Sequence, residues 1–502
     1  MALRSDNMGQ TWLFPPNIME LIPIDHICHF VVAIIQSLSG LDLNKKYRST
    51  PGCSAYPREI LLRIVVMASI DGMWSSRKIA KLCRENVVYM HLSGNEKPDF
   101  RTIARFKKDQ KDLIKKTFKS TVTVAKSLGV LKLEHISSDG TKIKANASNS
   151  NSLSKEEINR IENIIQKGID VDEEEDSQYG DKRGDELPPE LDTMEKIQNK
   201  IKEKIKEIEQ KDSKKLNHTS KKVIMQHALG SDEQKEQINE KLTKAKEEIE
   251  KSGQKAVSIT DPEARYMLNK KKKKELSYNP QNTVDLGSGI IIANDVTQDC
   301  TNHHQAIPQI EETEKNVGKL PKGTKVTDDN GFFNGANLRY FEEKGLDAYI
   351  LDSEQAQKMN GKKLEDKPYS KDKFEYDEEK DCFTCPEGEV LNKKGEYMQK
   401  GKLKFSYYGA NCKNCKNKKI CAGKAYQRII TSDAYEAERR RMKAKMETDE
   451  GKEVYNQRGK WAEWPFGNIK QNMGFREFLT RGLKSVKMEY DLVCTGHNLK
   501  II

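Results

Sequence analysis

The chain has 502 residues, with 88 Lys+Arg against 77 Asp+Glu and a formal net charge of +11. That length carries roughly two to four domains with ample core, so a peptide, a disulfide-knotted miniature and a single small module are excluded. At 35% hydrophobic and 33% charged residues the chain is polar for a globular protein, yet too apolar for wholesale disorder, and its basic surplus favours polyanionic partners.

The first residues, MALRSDNMGQTWLF, lack the apolar centre of a signal peptide. The longest apolar stretch, Ile60 to Ile70, is interrupted by Arg63 and is too short to cross a bilayer, so a cytoplasmic chain with no membrane partner is expected. Residues 16 to about 125 read as helical. They include a run from Pro57 to Asp71, a helix capped by Ser75 or Ser76, and another capped by Asp99 in FRTIARFKKDQ. The basic last helix, with Arg101, Arg105, Lys107 and Lys108, fits either a helix-turn-helix-like DNA-binding unit or an ordinary bundle with solvated cations.

At Leu131 the texture changes, and LEHISSDGTKIKANAS reads as a strand, a turn at Gly140 and a second extended piece. A charged insertion follows. Lys155 to Lys251 holds 20 Lys+Arg against 26 Asp+Glu, a net −6 that leaves +17 for the rest of the chain. Met194, Ile197, Ile201, Ile205 and Ile208 form one narrow stripe, which predicts a helical hairpin or coiled-coil-like arm. The acidic run Asp172 to Asp176 reads as linker. After it, NTVDLGSGIIIANDVTQ predicts a hairpin, Gln305 to Val317 a helix, and VTDD the end of a strand. A helix over Asn334 to Lys344 and a strand over Asp347 to Leu351 complete a mixed α/β pattern with helices on the sheet faces. Residues 354–430 carry five of the ten cysteines, Cys382, Cys385, Cys412, Cys415 and Cys421. Paired Cys-x₂-Cys knuckles suit tetrahedral Zn²⁺, the alternative being reduced, unliganded thiols. A helical, Arg-rich part runs from Ser432 to Ile502.

Three carboxylates stand out by context: Asp139 and Asp329 at strand ends, and Glu463 in the aromatic segment GKWAEWPFGNIK. Two strand-end carboxylates and a third on a neighbouring helix suit hard divalent cations, which take oxygen ligands. The ordered blocks KPDFRTIARFKKD, SSDGTKIKANAS, TDPEARYM, VTDDNGFFNGANLRYFEEKGLDAYI, the cysteine cluster, YEAERRRMKAKMETDEGKEVYNQRG, GFREFLTRGLKSVKMEY and HNLK together make the chain resemble the DDE-type transposases of bacterial insertion sequences, of the insertion-sequence-1182-like kind.

The resemblance covers nearly the whole length and implies a fold and a division of the chain. An N-terminal all-helical DNA-binding domain (1–125) precedes an α/β catalytic domain (126–502), an RNase H-like mixed five-stranded sheet with flanking helices. Within that domain lie the charged helical insertion (150–256) and the cysteine-rich insertion (354–430). The resemblance further implies a catalytic and metal-binding triad of Asp139, Asp329 and Glu463 with two Mg²⁺ or Mn²⁺ ions. Asp328 is the rival for the second position; the alignment of Gly331 and Asn337-Leu338 favours Asp329. Tyr455, Arg458, Glu463 and Lys470 resemble a tyrosine, arginine, glutamate, lysine signature, with one residue more than usual between Arg458 and Glu463. Relatives carry cysteines like Cys385, Cys412, Cys415 and Cys421, leaving Cys382 as the spare.

The DNA contacts expected are Lys142, Lys144, Arg101, Arg105, Tyr455, Arg458, Lys470, Arg476 and Arg481, with Lys270 to Lys274 and Arg439 to Arg441 as further phosphate contacts. Trp461, Trp464, Phe466 and Phe475 read as core or as wedges against an unpaired base, and His303-His304 as structural residues at a helix start. The partners implied are double-stranded DNA at the element ends and target, and a second copy on that DNA, in the nucleoid. The competing readings are an inactive, domesticated DNA-binding protein of the same fold and an RNase H-like nuclease without strand transfer.

Overall fold

The computed structural model describes residues 17–38, 55–166, 193–211, 215–269, 272–363, 365–409 and 411–502. The acidic run 172–176, Lys270 and Lys271 lie outside the described residues.

Among the described residues six helices come first: α1 (Ile27–Ser37), α2 (Arg58–Ile70), α3 (Ser76–Glu85), α4 (Val87–Leu92), α5 (Phe100–Asp109) and α6 (Lys111–Ser127). Their boundaries follow local chemistry. The Asp99 carboxylate accepts the Arg101 N–H to start α5, and Asn86 accepts the Val88 N–H to start α4 directly after α3. Ser75 occupies the N-cap position of α3 without a side-chain bond. The apolar faces of α1 to α5 meet in one cluster with Val31, Leu62, Val66, Ile79, Leu92 and Ile103.

The main sheet is built from β1 (His135–Gly140), β2 (Ile143–Lys144), β5 (Arg265–Leu268), β6 (Lys274–Asp285), β7 (Ile291–Thr297), β8 (Lys325–Asp328) and β9 (Asp347–Ile350). Its long strand β6 does two jobs. The first half pairs with β2 and β5, and the second half lies antiparallel between β1 and β7. On the other side β1 pairs parallel with β8, and β8 parallel with β9. The sheet therefore has seven strands rather than five, because β6 is long enough to add β2 and β5 beyond the run β7-β6-β1-β8-β9.

Helices α11 (Ala306–Val317) and α12 (Gly335–Lys344) connect the later strands, and α15 (Glu436–Glu447) and α16 (Asp449–Trp461) pack beside β9. The final helix, α18 (Leu483–Ile501), is buried along most of its length. It lends Val486, Tyr490 and Val493 to the sheet's core and Met488, Leu492 and Leu499 to the core of the N-terminal helices. Helix α6 is shared in the same way, through Leu113 and Ile114 on one side and Phe118 and Val122 on the other.

The charged insertion departs from a simple hairpin. Strands β3 (Ser152–Ser154) and β4 (Ala256–Ser258) pair antiparallel at its base, and a helix α7 (155–166) is followed by α8 (Met194–Lys211), α9 (His218–Leu229) and α10 (Asp232–Ser252). They enclose a small core of their own, including Leu153, Ile161, Ile205, Ile224, Leu242 and Ile249. Of the predicted stripe, Ile205 joins that core while Met194 is exposed; the Ile208 side chain lies outside the described residues. The remaining apolar positions are spread over β3, α7, α9, α10 and β4, too scattered among lysines and glutamates for a single-helix pattern to register.

The cysteine-bearing segment likewise has a core. Helix α13 (Ser353–Met359) leads into a five-stranded antiparallel sheet of β10 (Glu375–Asp377), β11 (Cys382–Thr384), β12 (Val390–Gln399), β13 (Lys402–Gly409) and β14 (Ile429–Ser432), with the one-turn α14 (Lys418–Cys421) before its last strand. Phe374, Phe383, Leu391, Tyr407 and Ile430 pack beneath it. Among the described residues no helix is long and apolar enough to cross a membrane.

Candidate active site: a carboxylate-lined cleft

Strand β1 ends at Asp139-Gly140 and β8 at Asp328, with Asp329 next, so parallel pairing of β1 with β8 brings both acidic ends to the same edge of the sheet. The third acid arrives from α16. Past Trp461 the chain continues through Glu463 into α17 (Trp464–Gly467) and a five-residue π-turn, Asn468–Asn472. Pro465 removes one backbone donor, yet the Ala462 N–H still reaches the Arg458 carbonyl and the Gly467 N–H the Glu463 carbonyl. The path therefore stays helical. Tyr455, Gly459, Glu463, Phe466 and Lys470, spaced by three and four, all line one cleft of about 740 Å³ together with Asp139, Asp329, Asn330 and Arg458.

Arg458 Nη2 lies 3.7 Å from Asp139 Oδ2, both side chains largely buried. Burial pushes the Asp139 carboxyl up to about 6; Arg458 pulls it down, and Asp329 and Glu463 push it further up. Gly140 N–H donates to Asp139 Oδ1 at 2.8 Å, and Gly331 N–H donates to Asp329 Oδ1 at the same distance. Asp328 faces the other way. It is fully buried, its Oδ1 accepts the Ser138 N–H at 2.6 Å, its Oδ2 has no partner, and burial raises it to about 7. Asp329, not Asp328, opens onto the cleft.

The cations expected near the cleft separate into several groups. Lys470 Nζ donates to Thr141 Oγ1 and to the Lys142 carbonyl at 3.2 Å, which anchors it at the cleft floor. Lys142 stands near Asp139 and Asp329, and burial lowers its ammonium. Lys144 pairs with Glu477 at 2.9 Å, Arg476 donates to the Lys470 carbonyl at 3.0 Å, and Arg481 donates to the Asn146 carbonyl at 3.1 Å. The Lys144 and Arg481 contacts tie the segment after the π-turn to the β2 edge, while Arg476 folds that segment back onto the π-turn.

Arg101 and Arg105 are exposed on α5, but Lys107 of the same helix is half-buried, bonded to the Trp74 carbonyl, and lowered by desolvation to about 8. The triplet Arg439 to Arg441 is held in ion pairs with Asp433, Glu436, Glu342 and Glu378, so it braces α15 instead of presenting free charge. Lys273 pairs with Glu275 and Lys274 lies over the Tyr266 ring. Phe466 and Phe475 are core residues; Trp464 is 41% exposed and packs edge-on against His497. Trp461 lines a separate cavity with His135 and Gln457. His303 precedes α11 and its Nδ1 lies 3.2 Å from the Gly331 carbonyl. Asn302, Gln281 and Thr141 also support the cleft. Polar residues at irregular spacing in loops and strands gave no sequence signal for them.

Cys385, Cys412, Cys415 and Cys421 line one cavity of about 310 Å³ with Tyr369, Phe374 and Arg428, while Cys382 lies outside it, buried on β11. All five are free thiols. Burial raises the Cys421 thiol; Arg428 opposes this, and the neighbouring Cys412, Cys385 and Cys415 add to it. Among the described residues no three His, Cys, Asp or Glu side chains already stand in metal-binding geometry. The donor chemistry nonetheless fits in both places: three carboxylates lining one cleft offer the oxygen ligands that Mg²⁺ takes, and four thiols round one cavity suit Zn²⁺.

Two family models match the chain. Residues 384–502, which include Glu463, match a transposase DDE domain, and residues 16–109 match a transposase domain (DUF772). Asp139 and Asp329 lie outside both matched segments. No curated protein matches the chain. The two matches support a DDE-type transposase.

Proposed function

We propose that this chain is a transposase of the insertion-sequence-1182-like kind, which binds the terminal inverted repeats of its element, cuts the DNA at those ends and joins them to a target. The observation that carries the reading is the convergence of Asp139, Asp329 and Glu463 on one cleft from three separate segments of the chain. The strand run β7-β6-β1-β8-β9 supports an RNase H-like core, since its members follow the order third, second, first, fourth, fifth along the chain.

Asp139, Asp329 and Glu463 would hold two Mg²⁺ or Mn²⁺ ions. When bound, such ions activate a water or 3′-hydroxyl and stabilise the leaving oxygen of an in-line phosphodiester displacement. The protein's own contributions are electrostatic and positional. Arg458 beside Asp139 keeps that carboxylate oriented and lowers the cost of its charge. Lys142 places an ammonium group near Asp139 and Asp329, and Lys470 adds another to the cleft lining, where a flanking phosphate would sit. Tyr455 and Arg458 flank the same wall of the cleft. Arg101 and Arg105 on the outer side of α5 would contact the duplex backbone, and Cys385, Cys412, Cys415 and Cys421 would hold a structural Zn²⁺. Holding two element ends calls for a second copy on the DNA, and DNA as substrate places the protein with the nucleoid.

The test is to incubate the full chain with duplexes carrying the element's end sequences and Mg²⁺ or Mn²⁺. Wild type should cleave and join, whereas Asp329→Asn should bind the duplex and leave it intact. Equal cleavage by Asp329→Asn removes the assignment; binding without cleavage by wild type favours an inactive DNA-binding protein, and cleavage without joined product favours a simple nuclease.

A further inference from the structure

The two strand-end carboxylates are each bonded to the glycine that follows them, Asp139 to the Gly140 N–H and Asp329 to the Gly331 N–H. Both glycines are in turn held from behind by the same short loop, residues 299–305, between β7 and α11. On the Asp139 side, β6 runs opposite β1 with Gln281 across from Gly140. Gln281 Nε2 and Asn279 Nδ2 both donate to Asn302 Oδ1 at 3.0 Å. This amide cluster fills the space behind Gly140 so closely that a Cβ there would lie 2.1 Å from Gln281 Nε2 and 2.5 Å from Asn302 Oδ1.

On the Asp329 side, His303 Nδ1 lies 3.2 Å from the Gly331 carbonyl. A carbonyl only accepts, so this nitrogen carries the proton and donates it. The His303 carbonyl accepts from the Asn334 and Asn337 side chains at the start of α12, and the loop is closed by Gln305 Nε2 on Asp299 Oδ2 at 2.6 Å. Asn279 and Gln281 are fully buried and leave their own amide oxygens without partners. Such orphaned acceptors cost stability, so the cluster is not explained by stability alone.

We propose that Asn302 and His303 are positioning residues, a cross-brace that fixes the spacing between Asp139 and Asp329 by gripping the glycine beside each. The proposal rests on the reading of these acids as cation ligands. A pair of carboxylates held at a set separation binds a cation with little rearrangement, and groups behind such ligands set affinity without touching the ion. The brace differs from a merely structural contact in what its loss changes: the folded protein remains, but the two acids are no longer held in register.

The experiment is a Mn²⁺ titration of the full-length chain, without DNA, read by electron paramagnetic resonance of the free ion, with folding checked by circular dichroism at the same temperature. Wild type should bind Mn²⁺ and Asp329→Asn should lose that binding. His303→Leu, which removes the donor to Gly331, and Asn302→Leu, which strips the acceptor from Asn279 and Gln281, should each bind at least about tenfold more weakly while folded. His303→Asn retains an N–H at nearly the Nδ1 position and should bind within about twofold of wild type. If His303→Leu fails to fold, the comparison of Asn302→Leu with Asn302→Asp, which keeps the acceptor, decides. Folded leucine variants that bind like wild type overturn the brace while leaving the carboxylate reading intact. Absence of any Asp329-dependent binding in wild type overturns the carboxylate reading, and the brace with it.

Discussion

Asp139 is an acid kept where its charge is costly. Its carboxyl is raised from 3.8 to about 6 mainly by burial, so the native state takes up its proton more readily than the unfolded chain. Stability from this group is complete below about pH 4 and is lost as pH rises through 6. Asp328 and Asp491, each raised to about 7, act in the same direction, while Glu436 and Asp433, each held near 2, favour folding above about pH 4 and release that contribution only in stronger acid. Asp139→Asn removes the cost. In metal-free buffer it should be more stable than wild type at pH 8, by of the order of 2 kcal/mol in urea denaturation, with the difference vanishing near pH 4. An advantage that did not shrink on acidification would separate the effect from Asp139's ionisation. Gly140→Ala should act oppositely. Its Cβ collides with the Gln281 and Asn302 amides, so it should lower the thermal midpoint at every pH and shift Asp139 from its place. Legible in the sequence at this scale were the acids that come to line one cleft, by their context: a strand-end Asp before Gly, and Asp-x-Gly after the later strand. It did not display Asn302, an ordinary loop residue by composition, nor the half-burial of Lys107 or the pairing of Arg439 to Arg441, since a lysine or arginine looks solvated until its neighbours from distant segments are known.

Elements carry the acids to one place. The stretch from α16 through α17 to the π-turn keeps Tyr455, Glu463 and Lys470 on one wall although Pro465 interrupts its bonding. Several elements were readable from local chemistry, from the β-rich runs on either side of the Gly-containing turn before β7 to the Asp99 cap of α5. The insertion's fold was not readable, because its core is assembled from one to three buried apolar residues per helix across four helices. The last helix illustrates a further element-level constraint. Gly496 on α18 lies against α2, where a Cβ would sit 2.6 Å from the Ser69 carbonyl oxygen. Gly496→Ala should push the two helices apart and cost roughly 1–3 kcal/mol in denaturant unfolding. Because α18 belongs to both large cores, near-ultraviolet signals from the N-terminal helices and from the sheet should fall together in that variant; loss of one without the other would show the modules to be independent.

At the level of the whole molecule, the charged insertion is joined to the rest through one pair of short strands, with Ser154 directly opposite Ala256, and through a buried ion pair between Glu248 of α10 and Arg265 of β5. Replacing residues 155–255 by a two-residue Asn-Gly turn should therefore close a hairpin already in register and leave the rest of the molecule folded. Circular dichroism and calorimetry of that variant should show one cooperative transition. Since the Lys155–Lys251 stretch carries −6, its removal should also strengthen binding to duplex DNA at low salt, an advantage that fades as salt rises. A variant that no longer unfolds cooperatively would make the insertion part of the main fold. The cleft itself has a consequence in time. Its acids are separated by 190 and 134 residues along the chain, and they meet only when β1 has paired with β8 and α16 has docked beside them. Contacts of such long range close late and slowly. A half-folded chain therefore possesses none of this arrangement, and any capacity to cut DNA would arrive with the last step of folding.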